Sequence, residues 1–290
     1  VAIEGLIERA EITPMKESML DVPGARLRHF VRGSGPLLVL IAGGPGDASM
    51  NEALASHLED RYTVLTYDRR GLSGSTTDEP EVTPATHADD LSHLLSAHTS
   101  EPAHVFGSSL GGLISLELAV RHPEQVGVVI AHEAPVTRLL PEPERVAAIQ
   151  DFLGAEEVFQ AEGVMAGLRR SATFLDIDPT DREPDVEPAA WGPDMLRNAE
   201  FLLTYDTPAI RAHVLDLAEL KGSPARVVPA AGESSRHIWP HKCARLLAEE
   251  LGTTCEMLPG GHNGYAFRPR ATAERIHQVL TERSRQSVAS

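Results

Sequence analysis

Cysteine is nearly absent from this chain, with only Cys243 and Cys255 among 290 residues. Two cysteines build no disulfide framework, and free buried thiols in a reducing, cytoplasmic compartment are the expected state. Basic side chains are also short, 26 Lys and Arg against 42 Asp and Glu, for a net charge of −16. That balance argues against nucleic acid and anionic membrane as partners. No apolar run reaches the ~18–20 residues that span a bilayer. The start, Val1 to Leu6, lacks the basic and apolar regions of a signal peptide, although the missing initiator Met leaves room for a removed leader. There is no G-x-x-x-x-G-K-[ST] and no G-x-G-x-x-G, hence no nucleotide signal. His237 and His241 are four apart, but Pro240 spoils a shared helical face, so neither a metal nor a cofactor is expected.

What the chain does contain is a repeated strand and helix rhythm. Ser18–Val22 and Ala25–Arg32 alternate like a hairpin around Pro23-Gly24. Leu37–Ile41, Tyr62–Tyr67, Ala103–Phe106, Val126–Ala131, Ala225–Gly232 and Thr254–Leu258 follow as further strands. Helices are expected near 50–58, 86–98, 110–120, 241–251 and 271–283. Residues 1–17 read as a loosely attached extension. From Val136 to Gly222 no strand-like run occurs, and 17 acidic face 8 basic side chains, a net of −9. Helical periodicity there covers 144–153, 156–169, 195–205 and 208–220, with 178–188 as a mobile Pro-rich loop. The rhythm predicts an α/β protein with a mostly parallel eight-stranded sheet and helices on both faces. The core comprises residues 1–136 and 223–290, and 137–222 form a helical cap insertion.

In such sheets ligands bind beyond the carboxyl ends of the strands. The loops at Gly43, Asp68, Ser109, Glu133, Gly232 and His262 all land on that edge. Gly107-Ser108-Ser109-Leu110-Gly111 fits G-x-S-x-G between a strand and a helix. Residues two before and two after the serine must be small, because strand and helix backbones nearly touch there. Ser109 Oγ then stands at the positive end of a helix, suited to a nucleophile. His104 and His132 flank the same edge, and a buried hydrogen-bonded side chain is the simpler reading of both.

With these residues in place the chain resembles the α/β-hydrolase fold family over about 18–136 and 226–283. Asp68-Arg69-Arg70-Gly71-Leu72-Ser73-Gly74-Ser75 is similar to the family's D-x-R-G-x-G-x-S loop. Ala42-Gly43-Gly44-Pro45-Gly46 is similar to its H-G-G-P-G oxyanion loop, with Ala42 in place of the usual histidine. The resemblance implies Ser109 as nucleophile, His262 as base, and the N–H groups of Gly44 and Leu110 as oxyanion donors. The position where the family usually keeps its acid is Ser235. Glu133, at the end of the strand after the serine helix, is the first replacement and Glu233 the alternative. Phe152, Phe159, Met165, Trp191, Phe201 and Tyr205 are candidates for lining the substrate pocket.

The function implied is cofactor-free hydrolysis of a carboxylic ester, thioester or lactone of a small molecule. Aminopeptidase action like that of proline iminopeptidases, acyl transfer and carbon–carbon bond hydrolysis are enzymatic alternatives. A ligand-binding sensor that keeps the fold is the non-enzymatic one. A small-molecule substrate is the expected partner, with a homodimer left open.

Overall fold

The computed structural model describes residues 15–78, 81–187 and 193–286. Most of the expected N-terminal extension lies outside these residues, and the first strand already begins at Lys16. The element order opens with β1 (Lys16–Val22), β2 (Ala25–Gly33), β3 (Leu37–Ile41), α1 (Glu52–Ser56) and β4 (Thr63–Tyr67). It continues with α2 (Pro84–His98), β5 (Ala103–Ser108), α3 (Leu110–Arg121) and β6 (Val126–His132). Five helices follow: α4 (Glu142–Glu162), α5 (Val164–Phe174), α6 (Pro193–Phe201), α7 (Thr207–Ala212) and α8 (Leu217–Gly222). The chain then returns to β7 (Arg226–Gly232), α9 (Trp239–Glu250), β8 (Glu256–Leu258), α10 (Gly264–Phe267) and α11 (Pro269–Gln286).

The eight strands form one sheet in the order β1-β2-β4-β3-β5-β6-β7-β8. The β1/β2 and β2/β4 pairs are antiparallel, and all others are parallel. The central strands are apolar throughout because both faces are covered. Along β3, Val39 and Ile41 join the core under α2 and α3, while Leu38 and Leu40 join the core under α1 and α11. A side-chain period of two produces that division. Helix α3 is buried from Leu110 to Ala119, as a helix lying against the middle of a sheet must be.

The helical segment between β6 and β7 departs from the sequence expectation in four places. The helix expected over 208–220 is split, with α7 ending at Ala212 and α8, capped by the Asp216 side chain, starting at Leu217. A break near Gly154 does not occur. Helix α4 runs through it and ends at Gly163, whose φ of 91° belongs to glycine. A second expected break, before Pro208, is replaced by a π turn over Leu202–Asp206 that joins α6 to α7. Pro208 has no N–H for the Thr204 carbonyl, and the helix widens there instead of stopping. The loop expected to be mobile is tied down. Asp181 binds Arg268, and Glu183 is buried and accepts from the N–H groups of Arg270 and Ala271 at the start of α11. Among the described residues no helix is long and apolar enough to cross a membrane. Cys243 is buried as expected, but Cys255 is only half-buried.

Candidate active site

Ser109 sits between β5 and α3 with φ 54° and ψ −119°, a conformation that non-glycine residues rarely adopt. The sheet holds it there: Ser109 N–H donates to the His132 carbonyl at 2.8 Å. The flanking glycines have the predicted reason to be small. A Cβ on Gly107 would lie 2.1 Å from the Gly111 carbonyl oxygen, and one on Gly111 would lie 2.4 Å from that of Ile41. Leu110 is the first residue of α3, so its N–H has no partner within the helix.

Glu133 follows β6 directly, with φ 47° and no exposed surface. Its Oε2 lies 2.7 Å from His262 Nδ1. An ionised carboxylate only accepts, so Nδ1 carries the proton and Nε2 is left as the basic nitrogen. Glu133 Oε1 accepts from Gly232 N–H at 2.9 Å and from the Ser235 hydroxyl. Burial opposes the Glu133 charge, but the hydrogen bond from His262 and the nearby His241 and His132 hold the carboxyl well below the usual carboxylate range. Glu233 is exposed and is not part of this cluster. Ser235, the position vacated by an acid, therefore still belongs to the site as a donor to Glu133.

The structure brings His262 into a line with His132 and the serine strand. The His132 and His262 ring centroids are 6.4 Å apart, and Ser108 Oγ lies 3.1 Å from His132 Nδ1. No hydrogen bond joins Ser109 Oγ to His262, a contact that commonly tightens only around bound substrate. His132 is the buried, hydrogen-bonded histidine that the sequence suggested, with its pKa lowered to about 4 by burial. His104 is not, because it is half-buried and its Nδ1 has no partner.

The loop at 42–46 reaches the same point. A Cβ on Gly43 would lie 2.8 Å from Ser109 Cβ. Gly44 has φ 51°, and its carbonyl accepts from Arg69 Nη2. The neighbouring loop is organised by Asp68, fully buried, which accepts from Ala48 N–H at 3.0 Å, Gly74 N–H at 2.9 Å and Arg28 Nε at 2.7 Å. Asn198 of α6 grips that loop through Ser73 N–H and Oγ, each at 2.8 Å, and Ser73 Oγ donates to Asp47 at 2.5 Å.

The pocket candidates divide. Phe201 pairs with Tyr205 at 4.9 Å between centroids and lies over Gly71, beside the loop after β4. Phe152 is 8% exposed and packs with Phe174 and Trp239, so it belongs to the core, and Phe159 lies within the α4–α5–α6 contact. Met165 is exposed at 38%. Trp191 lies outside the described residues. Two site residues went unrecognised in the sequence. His241 was weighed only as a metal ligand, yet its Nδ1 is 3.7 Å from Glu133 Oε1. Arg69 carries no local sequence signal of its reach to Gly44.

Comparison with known proteins agrees with this fold. The sequence profile of the alpha/beta hydrolase fold family matches residues 36–207. The chain is 39% identical to the uncharacterized hydrolase YraK of Bacillus subtilis strain 168, over 90% of this chain and 94% of that one. It is 26% identical to the 2-(acetamidomethylene)succinate hydrolase of Mesorhizobium japonicum, over 73% and 79% of the two chains. A crystal structure of a hydrolase from Pseudomonas aeruginosa PA01 superimposes with a TM-score of 0.65 at 25% identity, covering 91% of this chain and 98% of that one.

Proposed function

As the chain belongs to the α/β-hydrolase fold family, we propose that it is a cofactor-free serine hydrolase cleaving a carboxylic ester, thioester or lactone of a small molecule. The observation that carries this reading is the 2.7 Å bond between His262 Nδ1 and a buried, ionised Glu133 on the edge that holds the strained Ser109. His262 Nε2 takes the Ser109 proton as Oγ attacks the carbonyl carbon. Glu133 fixes the imidazole tautomer and stabilises the imidazolium. The N–H groups of Gly44 and Leu110 receive the oxyanion, each worth ~3–4 kcal/mol in comparable sites. His262 returns the proton to the leaving oxygen or sulfur. It then activates the water that releases the acid from Ser109.

The helical segment over this edge acts as the cap and favours a small, enclosed substrate. The sensor alternative drew on the lack of an acid at Ser235. Glu133 beside His262 supplies that acid from another strand and favours the enzyme. The test is mass spectrometry after treatment with a fluorophosphonate, together with turnover of a panel of small activated esters, thioesters and lactones. A single adduct that is absent in Ser109→Ala, with multiple turnovers on the panel, is the expected result. An unlabelled wild-type protein would sink the serine mechanism.

A further inference from the structure

Arg69 and Asp206 form an ion pair in which neither partner exceeds 2% exposure. Arg69 follows β4, and Asp206 ends the π turn of the helical segment. Arg69 Nη1 donates to Asp206 Oδ2 at 2.7 Å, and His87 Nε2 of α2 donates to Oδ1 at 3.0 Å. Burial opposes the Asp206 charge, but Arg69 and His87 hold the carboxyl below its ordinary range. A buried pair of this kind is weak evidence for stability, because desolvation consumes much of the attraction. Its third contact is more informative: Arg69 Nη2 donates to the Gly44 carbonyl.

That contact fixes one side of Gly44. The other side is fixed by the Gly43 carbonyl, which accepts from Gly46 N–H at 3.0 Å. The peptide planes before and after Gly44 are both held, and Gly44 N–H itself has no acceptor among the described residues. The loop stands directly against the serine, as the Gly43 approach shows. An oxyanion donor works only if it is aimed before the charge develops.

We infer that Arg69 is a positioning residue for the Gly44 oxyanion donor, and that Asp206 makes this alignment depend on the seating of the cap. The inference rests on the hydrolase reading above. The seated π turn completes the oxyanion site, so the helical segment controls kcat as well as access.

The test compares wild type with Arg69→Lys and with the double variant Arg69→Met/Asp206→Leu, on an activated ester. The double variant leaves no buried charge unpaired, and Arg69→Lys keeps the charge balance while losing the fork that spans Asp206 and Gly44. Circular dichroism melting establishes that the variants are folded. The expected result is a fall in kcat of about 10- to 100-fold with KM within about threefold. Affinity for a boronic acid that mimics the tetrahedral state should fall by the same factor, and the pH dependence of kcat should not move. Wild-type kcat in a folded variant, or a loss confined to KM, overturns the inference. An inert wild-type protein removes the hydrolase reading and this inference together, whereas an active wild type with an equally active variant removes this inference alone.

Discussion

Glu133 and His262 meet at 2.7 Å across 129 residues of sequence, and Glu133 has no exposed surface. The carboxylate comes from the end of β6 and the imidazole from the loop after β8, with the end of β7 between them. Gly232 N–H and the Ser235 hydroxyl at that end bind the second oxygen of Glu133. Both oxygens of the carboxylate are thus engaged, and its orientation is fixed before any substrate arrives.

Removal of that charge should separate the two glutamates. Glu133→Gln keeps the shape but lets the amide present N–H to Nδ1, which favours the wrong tautomer. A loss of about 10³–10⁴ in kcat is expected, with little change in KM. Glu233→Gln should stay within about twofold, since Glu233 is exposed. Steady-state kinetics on an activated ester decide the matter, and equal effects of the two changes would contradict the assignment of Glu133.

His132 predicts a pH dependence of stability. Burial lowers its pKa to about 4, against 6.5 for the free side chain. Between those values the unfolded chain binds a proton that the folded chain refuses. Stability therefore rises with pH across this window and is lost as pH falls from about 6.5 to about 4. The full effect is roughly 3 kcal/mol. Urea unfolding at pH 7.5 and 4.5 should show a smaller difference for His132→Gln than for wild type, and an unchanged difference would refute the burial argument. Glu133 adds to the same trend at the acid end. Its lowered pKa gives stability that is present above the unfolded value and is lost as pH falls through the folded one.

Gly107→Ala should be severe. The new methyl would lie 2.1 Å from the Gly111 carbonyl oxygen, and both backbones belong to buried elements. A cost of at least about 3 kcal/mol is expected, with loss of Ser109 labelling. Gly222→Ala is the control: nothing lies within 4 Å of its new methyl, and the helix-forming preference of alanine should stabilise it by about 0.5–1 kcal/mol. Urea midpoints of the two variants provide the comparison.

The sequence shows the nucleophile turn because its determinants are local: two glycines, an apolar strand before them and an apolar helix after them. It shows the sheet because the central strands are apolar on both faces. The choice between Glu133 and Glu233 is not local. It depends on the parallel register of β6 with β7, where Glu133 N–H donates to the Ala230 carbonyl at 2.8 Å. Arg69 is hidden for the same reason, since its partner Asp206 is 137 residues away and lies in a π turn that periodicity cannot reveal. The ends of α4 were misplaced because a glycine inside a helix and a glycine closing one look alike until φ is known. The 178–188 segment looked loose because its charges pair with α11 and Arg268, far along the chain.

In the parallel ladder of β5 and β6, Ser108 pairs with His132, so Ser109 and Glu133 each lie one step beyond the same rung. The proposed nucleophile and acid are consequently parts of one rigid frame, and no hinge between them can alter their separation. His262 is the sole member carried by a separate loop. Motion that leaves the sheet intact can therefore change the approach of that imidazole to Ser109, but not the spacing of Ser109 and Glu133.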